Sequence, residues 1–425
     1  MRLSAVVGLN WGDEGKGRMV DLLTEDCDAV VRYQGGGNAG HTVENELGKF
    51  ALHLLPSGVF RPGVLNVLGP GVALDCQSLL EEIEELRRGG VCITPENLLI
   101  SERAALLLPW HRQEDALEEA RLGAHKYGST VQGIAPFYGD KYRKKVLRAG
   151  DLRFQERRVE EELESLLEWK GLGLRGLYGA AAPTAAELRA WLRDYAEPLL
   201  PYLGDTGGAL GELAASGGRI LFEAQLGALR DIDCGIFPYT TSSHTLASYA
   251  FTGAGMAPGR LDEVVGVAKA YSTCVGEGPF VCEWRGPEAE RLREEGAEYG
   301  ARTGRPRRVG PMDLVATRCG ARLQGATHLA LTKLDVLGCM DRVPLCTAYS
   351  LRGAETRDFP YPALLDEAEP VTEYMEGWRC DVSGARRWTE LPEAARRYVR
   401  RVEEEVGVPL GWLSVGPRRE QYIRL

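Results

Sequence analysis

The sequence predicts an α/β protein with a large, mostly parallel central sheet flanked by helices. Short apolar runs rich in β-formers alternate with amphipathic helical stretches from the first residues onward, as expected when helices pack on the faces of a sheet. Between about residues 100 and 200 the composition shifts towards Glu, Arg, Leu and Ala with helical periodicity, which predicts a largely helical insertion. Because no repeat, low-complexity tract or obvious linker interrupts residues 1–425, we expect one domain.

Each element has its own local signal along the chain. The first strand, residues 3–8, runs into a glycine-rich turn and then a helix with a buried stripe that includes Met19, Val20, Leu22 and Leu23. A helix over residues 76–88 should stop at the glycine pair 89–90. Further strands are predicted over residues 28–33, 50–55, 64–68, 219–223, 263–270, 329–334 and 412–415, and further helices over residues 18–25, 156–169, 185–199 and 393–405.

Composition excludes several classes of function. At 425 residues, 44% of them apolar, the chain can bury a core large enough for an enzyme. Its net charge of −10 argues against nucleic acid or an anionic membrane as a partner. The ten cysteines are scattered without a C-x-x-C pair, which favours reduced thiols over a zinc site. With neither a signal peptide nor an apolar stretch of roughly 18 residues, the sequence predicts a cytoplasmic protein.

A glycine-rich loop, residues 12–17, lies where the first strand gives way to a helix. Backbone N–H groups and the helix dipole favour phosphate at such a junction. The loop is not a Walker A loop, because Asn10 stands where that motif has glycine and Gly17 where it has serine or threonine. Asp13 repels phosphate unless it binds a metal or moves a proton, so it points to catalysis. A plain surface turn is the alternative interpretation of this loop.

A second glycine-rich segment, residues 34–42, follows the second predicted strand. It combines a flexible backbone with an amide, an imidazole and a hydroxyl. His41 could act as an acid or donate a hydrogen bond to a developing anion. A structural histidine is the alternative, and the neighbouring phosphate loop favours the functional interpretation.

The two loops, WGDEGKG and QGGGNAGHT, resemble the signatures of adenylosuccinate synthetases. The resemblance implies a P-loop-NTPase-like fold without a true Walker A loop and a GTP-dependent ligation of L-aspartate to IMP through 6-phosphoryl-IMP. Asp13 would remove the N1 proton of IMP, and His41 would stabilise the charge on the departing GDP. One Mg²⁺ per active site would lie between Asp13, the carbonyl of Gly40 and the phosphates.

Segments further along the chain resemble the same family. Residues 332–335, T-K-L-D, resemble the element by which GTP-binding proteins select guanine, and residues 414–417 resemble the family's closing S-x-G-P. Residues 300–308 carry four arginines and resemble the loop that binds L-aspartate, a suitable use of bidentate guanidinium groups. A solvated basic turn is the alternative for this last segment.

Three further segments match the family in part. Residues 128–136 resemble G-T-T-G-R-G-I-G-P, with Thr130 as a ligand of the IMP phosphate. Arg143 or Lys144 would reach across a homodimer interface to the IMP phosphate of the partner subunit. Gln225 stands one place earlier than the glutamine of the F-E-G-A-Q-G pattern, which makes its contact to IMP less secure than that of Thr241.

The resemblance implies a complete set of site residues. The catalytic residues would be Asp13, Lys16, His41 and Gln225, and Asp13 and Gly40 would bind the metal. GTP would be bound by Gly12, Glu14, Gly15, Lys16, Gly17, Gly40, His41, Thr42, Arg307, Lys333, Leu334, Asp335, Ser414, Val415 and Gly416. IMP would be bound by Asp13, Asn38, Ala39, Thr130, Arg143, Lys144, Gln225, Thr241 and Arg305, and L-aspartate by Ala301, Arg302, Thr303, Gly304, Arg305 and Arg307.

Departures from the family pattern occur at Cys274, Arg302 and Pro311, where arginine, threonine and tryptophan are usual. None of them removes a proposed acid, base or metal ligand. Two alternatives remain. A regulatory GTP-binding protein would share the T-K-L-D element but would need a Walker A loop. A related synthetase acting on dGMP would replace the catalytic aspartate, so Asp13 argues against it.

Overall fold

A computed structural model describes residues 2–38, 40–45, 48–154, 156–300 and 304–425. The helices are α1 (Lys16–Leu23), α2 (Cys76–Arg88), α3 (Pro109–Leu122), α4 (Ile134–Tyr142), α5 (Ala149–Phe154), α6 (Glu156–Tyr178), α7 (Ala185–Trp191), α8 (Thr206–Ala215), α9 (Ala250–Ala254), α10 (Pro287–Glu295), α11 (Leu314–Gln324) and α12 (Glu393–Val406). The strands are β1 (Arg2–Gly8), β2 (Ala29–Arg32), β3 (His41–Asn45), β4 (Gly48–Leu52), β5 (Leu65–Leu68), β6 (Ala73–Leu74), β7 (Leu98–Ser101), β8 (Ala105–Leu106), β9 (Leu203–Gly204), β10 (Arg219–Gly227), β11 (Glu263–Lys269), β12 (Ser272–Cys274), β13 (Arg308–Gly310), β14 (Met312–Asp313), β15 (His328–Thr332), β16 (Arg342–Leu351), β17 (Ala354–Thr356), β18 (Ala368–Glu376), β19 (Leu410–Ser414) and β20 (Tyr422–Arg424).

Ten strands form the central sheet, in the order β20-β19-β15-β11-β1-β10-β2-β5-β7-β9. Every pair in it is parallel except β19 with β20 at one edge. The prediction of a large, mostly parallel sheet is therefore confirmed. Parallel strands end at the same edge of a sheet, so the loops after β1, β2, β10, β15 and β19 gather along one side.

Side chains of the central strands alternate between two apolar layers. Ala5 and Phe222 belong to one layer, and Val6 and Leu221 belong to the other. Met19 of α1 packs in the second layer, as its place in the predicted stripe implies. Burial on both faces explains why these strands are continuously apolar instead of alternating with polar residues.

Most predicted elements lie within two residues of the observed ones, and α2 has the predicted bounds. Three differ more. Of the strand predicted over residues 50–55, only residues 50–52 belong to β4. This strand pairs with β3 in a hairpin outside the central sheet. The strand predicted over residues 219–223 continues to Gly227 through an irregular register against β1. Helix α7 ends at Trp191. A π-helical turn follows over residues 192–196 and a 3-10 helix over residues 197–202, where prolines lack the N–H that a regular α-helix needs.

Helices α3 to α7 follow one another between β8 and β9, in the stretch where the composition predicts helices. Helices α3 and α6 pack against each other, and α3 also packs against α4. Within the described part of the chain, no helix is long and apolar enough to cross a membrane.

Candidate active site

The first glycine loop connects β1 to α1 with an unusual backbone. Gly12, Asp13 and Gly15 all have positive φ, at 108°, 59° and 96°. Glycine adopts such angles without strain, and aspartate is among the few other residues that tolerate the left-handed region. The loop therefore turns sharply before the start of α1, and the side chain of Asp13 stays partly exposed.

Glu14 and Lys16 are held inside this loop. The Glu14 carboxylate accepts hydrogen bonds from the backbone N–H of Asn10 (3.2 Å) and of Gly12 (2.9 Å). Lys16 Nζ lies 2.7 Å from Glu14 Oε2, and both side chains are buried. Thr332 Oγ1 donates to the carbonyl of Glu14 at 2.7 Å, which attaches the loop to the end of β15. Glu14 thus shapes the loop and partly neutralises Lys16.

Arg307 reaches the first glycine loop from the arginine-rich segment. Its Nη2 lies 2.9 Å from Asp13 Oδ2, and its Nη1 lies 2.7 Å from Glu298 Oε2. Arg307 Nε is buried and has no hydrogen-bond partner among the described residues. Arg305 lies 2.9 Å from Glu277 Oε1 at the same end of the molecule. The structure thus brings the predicted base and a predicted substrate-binding arginine into direct contact.

A cleft of about 500 Å³ opens beside Asp13. Its lining comes from both glycine loops, from the loop before α4, from the segment after β10 and from the arginine-rich segment. The predicted site residues in this lining are Gly12, Asp13, Asn38, Gly40, Thr130, Thr241 and Arg307. Thr241 Oγ1 is buried without a hydrogen-bond partner among the described residues, so a polar group is left available at the cleft wall.

Gln225, unlike the predicted residues that line the cleft, directs its side chain to the second glycine loop. It is fully buried, its Nε2 donates to the carbonyl of Gly36 (2.7 Å), and its Oε1 accepts from the N–H of Gly36 (3.0 Å). Gln34 Nε2 donates to the backbone carbonyl of Gln225 at 2.8 Å. Leu226, with φ of 61°, lines the cleft instead. The side chain of Gln225 therefore supports the second glycine loop, and the described lining of the cleft does not include it.

The structure describes only part of the second glycine loop and of the arginine-rich segment. Ala39, Ala301, Arg302 and Thr303 lie outside the described residues. His41 and Thr42 begin β3, where the backbone of His41 is paired with that of Leu52. The side chains of His41 and Thr42 are not among those described. In the arginine-rich segment the described residues resume at Gly304, which has a φ of 64°.

The two predicted guanine elements are neighbours at the edge of the sheet where Asp13 lies. They follow β15 and β19, which pair in parallel, and the N–H of Leu334 donates to the carbonyl of Ser414 at 3.3 Å. Burial raises the pKa of Asp335, because a charged carboxylate is poorly solvated there. Lys333 has a φ of 62° and donates to the carbonyl of Gly296.

Sequence analysis missed Arg18, which holds the second guanine element. Its guanidinium donates to Ser414 Oγ at 2.7 Å and to the carbonyls of Gly416 and Arg418. It also stacks on the ring of Tyr422, 4.4 Å from the centroid. The signal available in the sequence was a cation directly after the glycine loop. A contact spanning some 400 residues cannot be found from that signal alone.

Arg230 was missed as well, and it bears on the departure at Cys274. Its Nη2 lies 3.1 Å from Cys274 Sγ and donates to the carbonyl of Val275, and its Nη1 donates to the carbonyl of Tyr239. Arg230 lines the cleft. A guanidinium therefore contacts the residue that stands where the family pattern has arginine, although it comes from a different position in the chain.

The loop that carries Thr130 is fixed by acidic side chains of α3. Glu119 accepts the N–H groups of Tyr127, Gly128 and Ser129, each at 3.0 Å. Asp115 accepts from Ser129 Oγ (2.9 Å) and from the N–H of Gly133 (2.8 Å).

Arg143 and Lys144 follow the end of α4 and are both exposed. The Arg143 guanidinium lies 5.9 Å from the centroid of the Trp169 ring. Neither residue is in the described lining of the cleft. The structure therefore does not bring these two cations to the cleft of their own chain.

Comparison with known proteins decides the family. A sequence model described as adenylosuccinate synthetase matches residues 5–423. The adenylosuccinate synthetase of Caldanaerobacter subterraneus subsp. tengcongensis is 45% identical over 428 residues, with 100% of this chain and 99% of the relative covered. The chain belongs to the adenylosuccinate synthetase family.

Two solved structures are similar to this chain. The structure of fully ligated adenylosuccinate synthetase from Plasmodium falciparum has a TM-score of 0.93 and 33% identity, with 100% of both chains covered. A cyanophage S-2L succinoaminodeoxyadenylate synthetase bound to dGMP and dATP has a TM-score of 0.61 and 20% identity, covering 100% of this chain and 95% of that one. At that identity the second likeness shows a shared fold alone.

Adenylosuccinate synthetases are ligases that join IMP and aspartate at the expense of GTP. The predicted α/β fold and ligase class are therefore confirmed. Membership of this family also favours an enzyme over the regulatory GTP-binding protein considered from the sequence.

Proposed function

We propose that this chain joins L-aspartate to IMP with the hydrolysis of GTP, giving adenylosuccinate, GDP and phosphate through 6-phosphoryl-IMP. The observation that carries the proposal is Asp13, a partly exposed carboxylate within the first glycine loop and at the wall of a cleft of about 500 Å³. A cleft of this size suits a nucleotide. Such a carboxylate is suited to accept a proton from the purine ring bound beside it.

The first chemical step follows from this placement. Asp13 accepts the N1 proton of IMP, and the electron pair left on the ring makes O6 the nucleophile that attacks the γ-phosphorus of GTP. The bond from O6 to phosphorus forms as the bond to the GDP oxygen breaks. The positive charge of Arg307, 2.9 Å from Asp13, lies where the transferring phosphoryl group would pass. His41 donates a hydrogen bond to the departing GDP.

The second step forms the product. The amine of L-aspartate attacks C6 of 6-phosphoryl-IMP, phosphate leaves with the electron pair of the C6–O6 bond, and the new C–N nitrogen gives up one proton, which the departing phosphate accepts. The arginine-rich segment is suited to hold the two carboxylates of aspartate, because guanidinium groups pair with carboxylates in bidentate geometry. Arg305 and Arg307 are the described arginines to which we assign this role, with Gly304 giving the turn between them and residues 301–303.

IMP occupies the cleft in this proposal. Asn38, Thr130 and Thr241 line it, and the unpartnered hydroxyl of Thr241 supplies a hydrogen bond to the nucleotide. Gln225 acts indirectly, by holding Gly36 on both its N–H and its carbonyl. Leu226 gives the cleft an apolar surface at the position of the family's glutamine.

GTP extends from the first glycine loop towards the guanine elements. Its phosphates meet the backbone of residues 12–17 at the start of α1, where N–H groups and the helix dipole favour anions. Its base lies between Lys333, Leu334 and Asp335 on one side and residues 414–416 on the other. The Asp335 carboxylate is suited to accept hydrogen bonds from N1–H and the 2-amino group of guanine.

Mg²⁺ fits the oxygen donors available here. Asp13 and Gly40 both line the cleft, and hard cations of this kind prefer carboxylate, carbonyl and phosphate oxygens. When bound, the ion neutralises phosphate charge. Asp13 and Gly40 are the residues we assign to it.

A homodimer completes the proposal. Arg143 and Lys144 are exposed cations outside the described lining of the cleft of their own chain, and we assign to them the IMP phosphate of a partner subunit. A cytoplasmic location agrees with substrates that are free nucleotides and an amino acid.

The reaction is tested by incubating the protein with IMP, GTP, Mg²⁺ and L-aspartate, omitting each component in turn. We expect adenylosuccinate only in the complete mixture. A parallel reaction with dGMP in place of IMP tests the related synthetase, and product from dGMP alone would reject the proposed substrate. GTP hydrolysis without IMP would instead support a regulatory GTPase.

A further inference from the structure

A single buried carboxylate gathers three cations beneath the arginine-rich segment. Glu298 is completely buried, and Lys269 Nζ lies 2.8 Å from each of its oxygens. Arg307 Nη1 lies 2.7 Å from Glu298 Oε2, and Lys333 Nζ lies 3.5 Å from Oε1. Tyr271 donates its hydroxyl to the same carboxylate at 2.5 Å.

The cluster keeps Glu298 ionised despite its burial. Burial by itself opposes the charged form of the carboxyl, but Lys269, Lys333 and Arg307 outweigh it and hold the pKa of Glu298 well below its usual range. A buried charge is tolerated when it is paired and hydrogen-bonded on several sides. Glu298 is therefore a fixed negative charge with a defined orientation.

Two of the three cations, Arg307 and Lys333, belong to the proposed GTP site. Arg307 uses its second terminal nitrogen on Asp13, at 2.9 Å. Lys333 lies two residues before Asp335 and also donates to the carbonyl of Gly296. Glu298 thus connects the phosphate end of the site to its guanine end.

The third cation, Lys269, does not belong to the proposed GTP site. Lys269 is buried, and among the described residues its Nζ bonds to Glu298 and to Thr273 Oγ1 at 2.9 Å. Lys269 balances the charge of Glu298 without reaching the cleft. This difference allows the structural contribution of the buried ion pair to be separated from any effect on the site.

We propose that Glu298 is a positioning residue for GTP, which aims Arg307 at Asp13 and holds Lys333 beside the guanine-selecting Asp335. It acts through these two side chains and does not touch the nucleotide. The inference rests on the proposed function, since it takes Arg307 and Lys333 to be GTP contacts. Without Glu298, Arg307 keeps Asp13 as its remaining carboxylate partner among the described residues, and the separation between the two ends of the site is no longer fixed.

The test uses Glu298→Gln combined with Lys269→Met, because removing both members of the buried pair avoids leaving an uncompensated lysine in the core. Lys269→Met alone is the matched control, since it keeps the contacts of Glu298 to Arg307 and Lys333. We expect the double variant to melt close to the control and to raise the KM for GTP at least about tenfold. The KM for IMP should change less than about twofold. A folded double variant with the KM for GTP of the control would overturn the inference.

A second measurement separates positioning from general loosening of the fold. In an Arg307→Gln background, adding Glu298→Gln and Lys269→Met should have a smaller effect on GTP than in the natural sequence, because the part of the effect that acts through Arg307 is already lost and only the part through Lys333 remains. Full additivity would contradict the inference. Equilibrium dialysis with labelled GTP gives the same comparison without turnover. If the unmodified protein forms no adenylosuccinate, the proposed function fails, whereas an active protein with an unaffected double variant rejects only the role of Glu298.

Discussion

Arg307 joins Asp13 to Glu298, with one terminal nitrogen 2.9 Å from the first carboxylate and the other 2.7 Å from the second. The residue proposed to start the chemistry is therefore in direct contact with the arginine-rich segment. Arg307 engages the Oδ2 oxygen of Asp13, and a carboxylate has a second oxygen that can accept a proton from IMP.

Guanine selection is tested by Asp335→Asn. The amide keeps one acceptor oxygen but puts an NH2 donor in place of the other, opposite a guanine donor, so we expect GTP to bind at least tenfold more weakly, about 1.4 kcal/mol. Isothermal titration calorimetry measures the change. Asp341→Asn, at an exposed aspartate nearby in the sequence, is the matched control. Unchanged GTP affinity in Asp335→Asn would remove the guanine assignment.

Binding of GTP should also depend on pH through the same side chain. Burial raises the pKa of Asp335 above its usual value, so the carboxylate becomes protonated at a higher pH than an exposed aspartate. Because guanine recognition needs the ionised form, GTP affinity should fall as the pH drops through this raised pKa. Titrations at several pH values would show the fall in the natural sequence and a flatter profile in Asp335→Asn. Identical profiles would argue against Asp335 as the titrating group.

Gln225→Ala tests support of the second glycine loop. The substitution removes the Gln225 partner of the buried carbonyl of Gly36 and leaves the N–H of Gly36 only its longer bond to Asn38 Oδ1 (3.3 Å), which costs roughly 1–3 kcal/mol of unfolding free energy. We expect the KM for IMP to rise more than the KM for GTP, as Asn38 lies in the same loop. Denaturant unfolding and initial rates measure both effects. Gln113→Ala, at a glutamine that bonds to the carbonyl of Ala181 on the surface, serves as the control.

Shared active sites are tested by mixing two inactive variants. Asp13→Asn disables the cleft of its own subunit, and Arg143→Ala with Lys144→Ala disables the contribution to the partner. In mixed dimers one of the two sites has both intact parts, so random mixing should restore about a quarter of the natural activity. No recovery after exchange of subunits, shown by a tagged pull-down to have occurred, would reject the contribution across the interface.

Local sequence patterns were enough to predict most of the sheet and the first glycine loop. The apolar run of residues 3–8 is buried on both faces, and α2 stops at its glycine pair because no residue beyond it continues the helical pattern. The family resemblance then gave the residues that line the cleft, among them Asp13, Thr130 and Thr241. These features depend on short stretches of chain.

What sequence could not provide was the pairing of distant residues. The irregular register between β1 and β10 gives Leu226 a positive φ and places it in the cleft, while Gln225 turns to Gly36. Likewise, Arg230 lies beside Cys274 only because β10 and β12 lead into the same region. Such contacts depend on strand register and three-dimensional packing, which no local periodicity encodes.

The most direct test of the account is phosphate release by Asp13→Asn in the presence of IMP, GTP, Mg²⁺ and L-aspartate. Asparagine keeps the shape of the side chain but cannot accept the N1 proton. We predict that phosphate release falls by at least about a thousandfold, 4 kcal/mol of transition-state stabilisation, while GTP binding stays within about threefold of the natural protein. A variant that binds GTP normally and still releases phosphate at a tenth of the natural rate or faster would contradict the central role of Asp13.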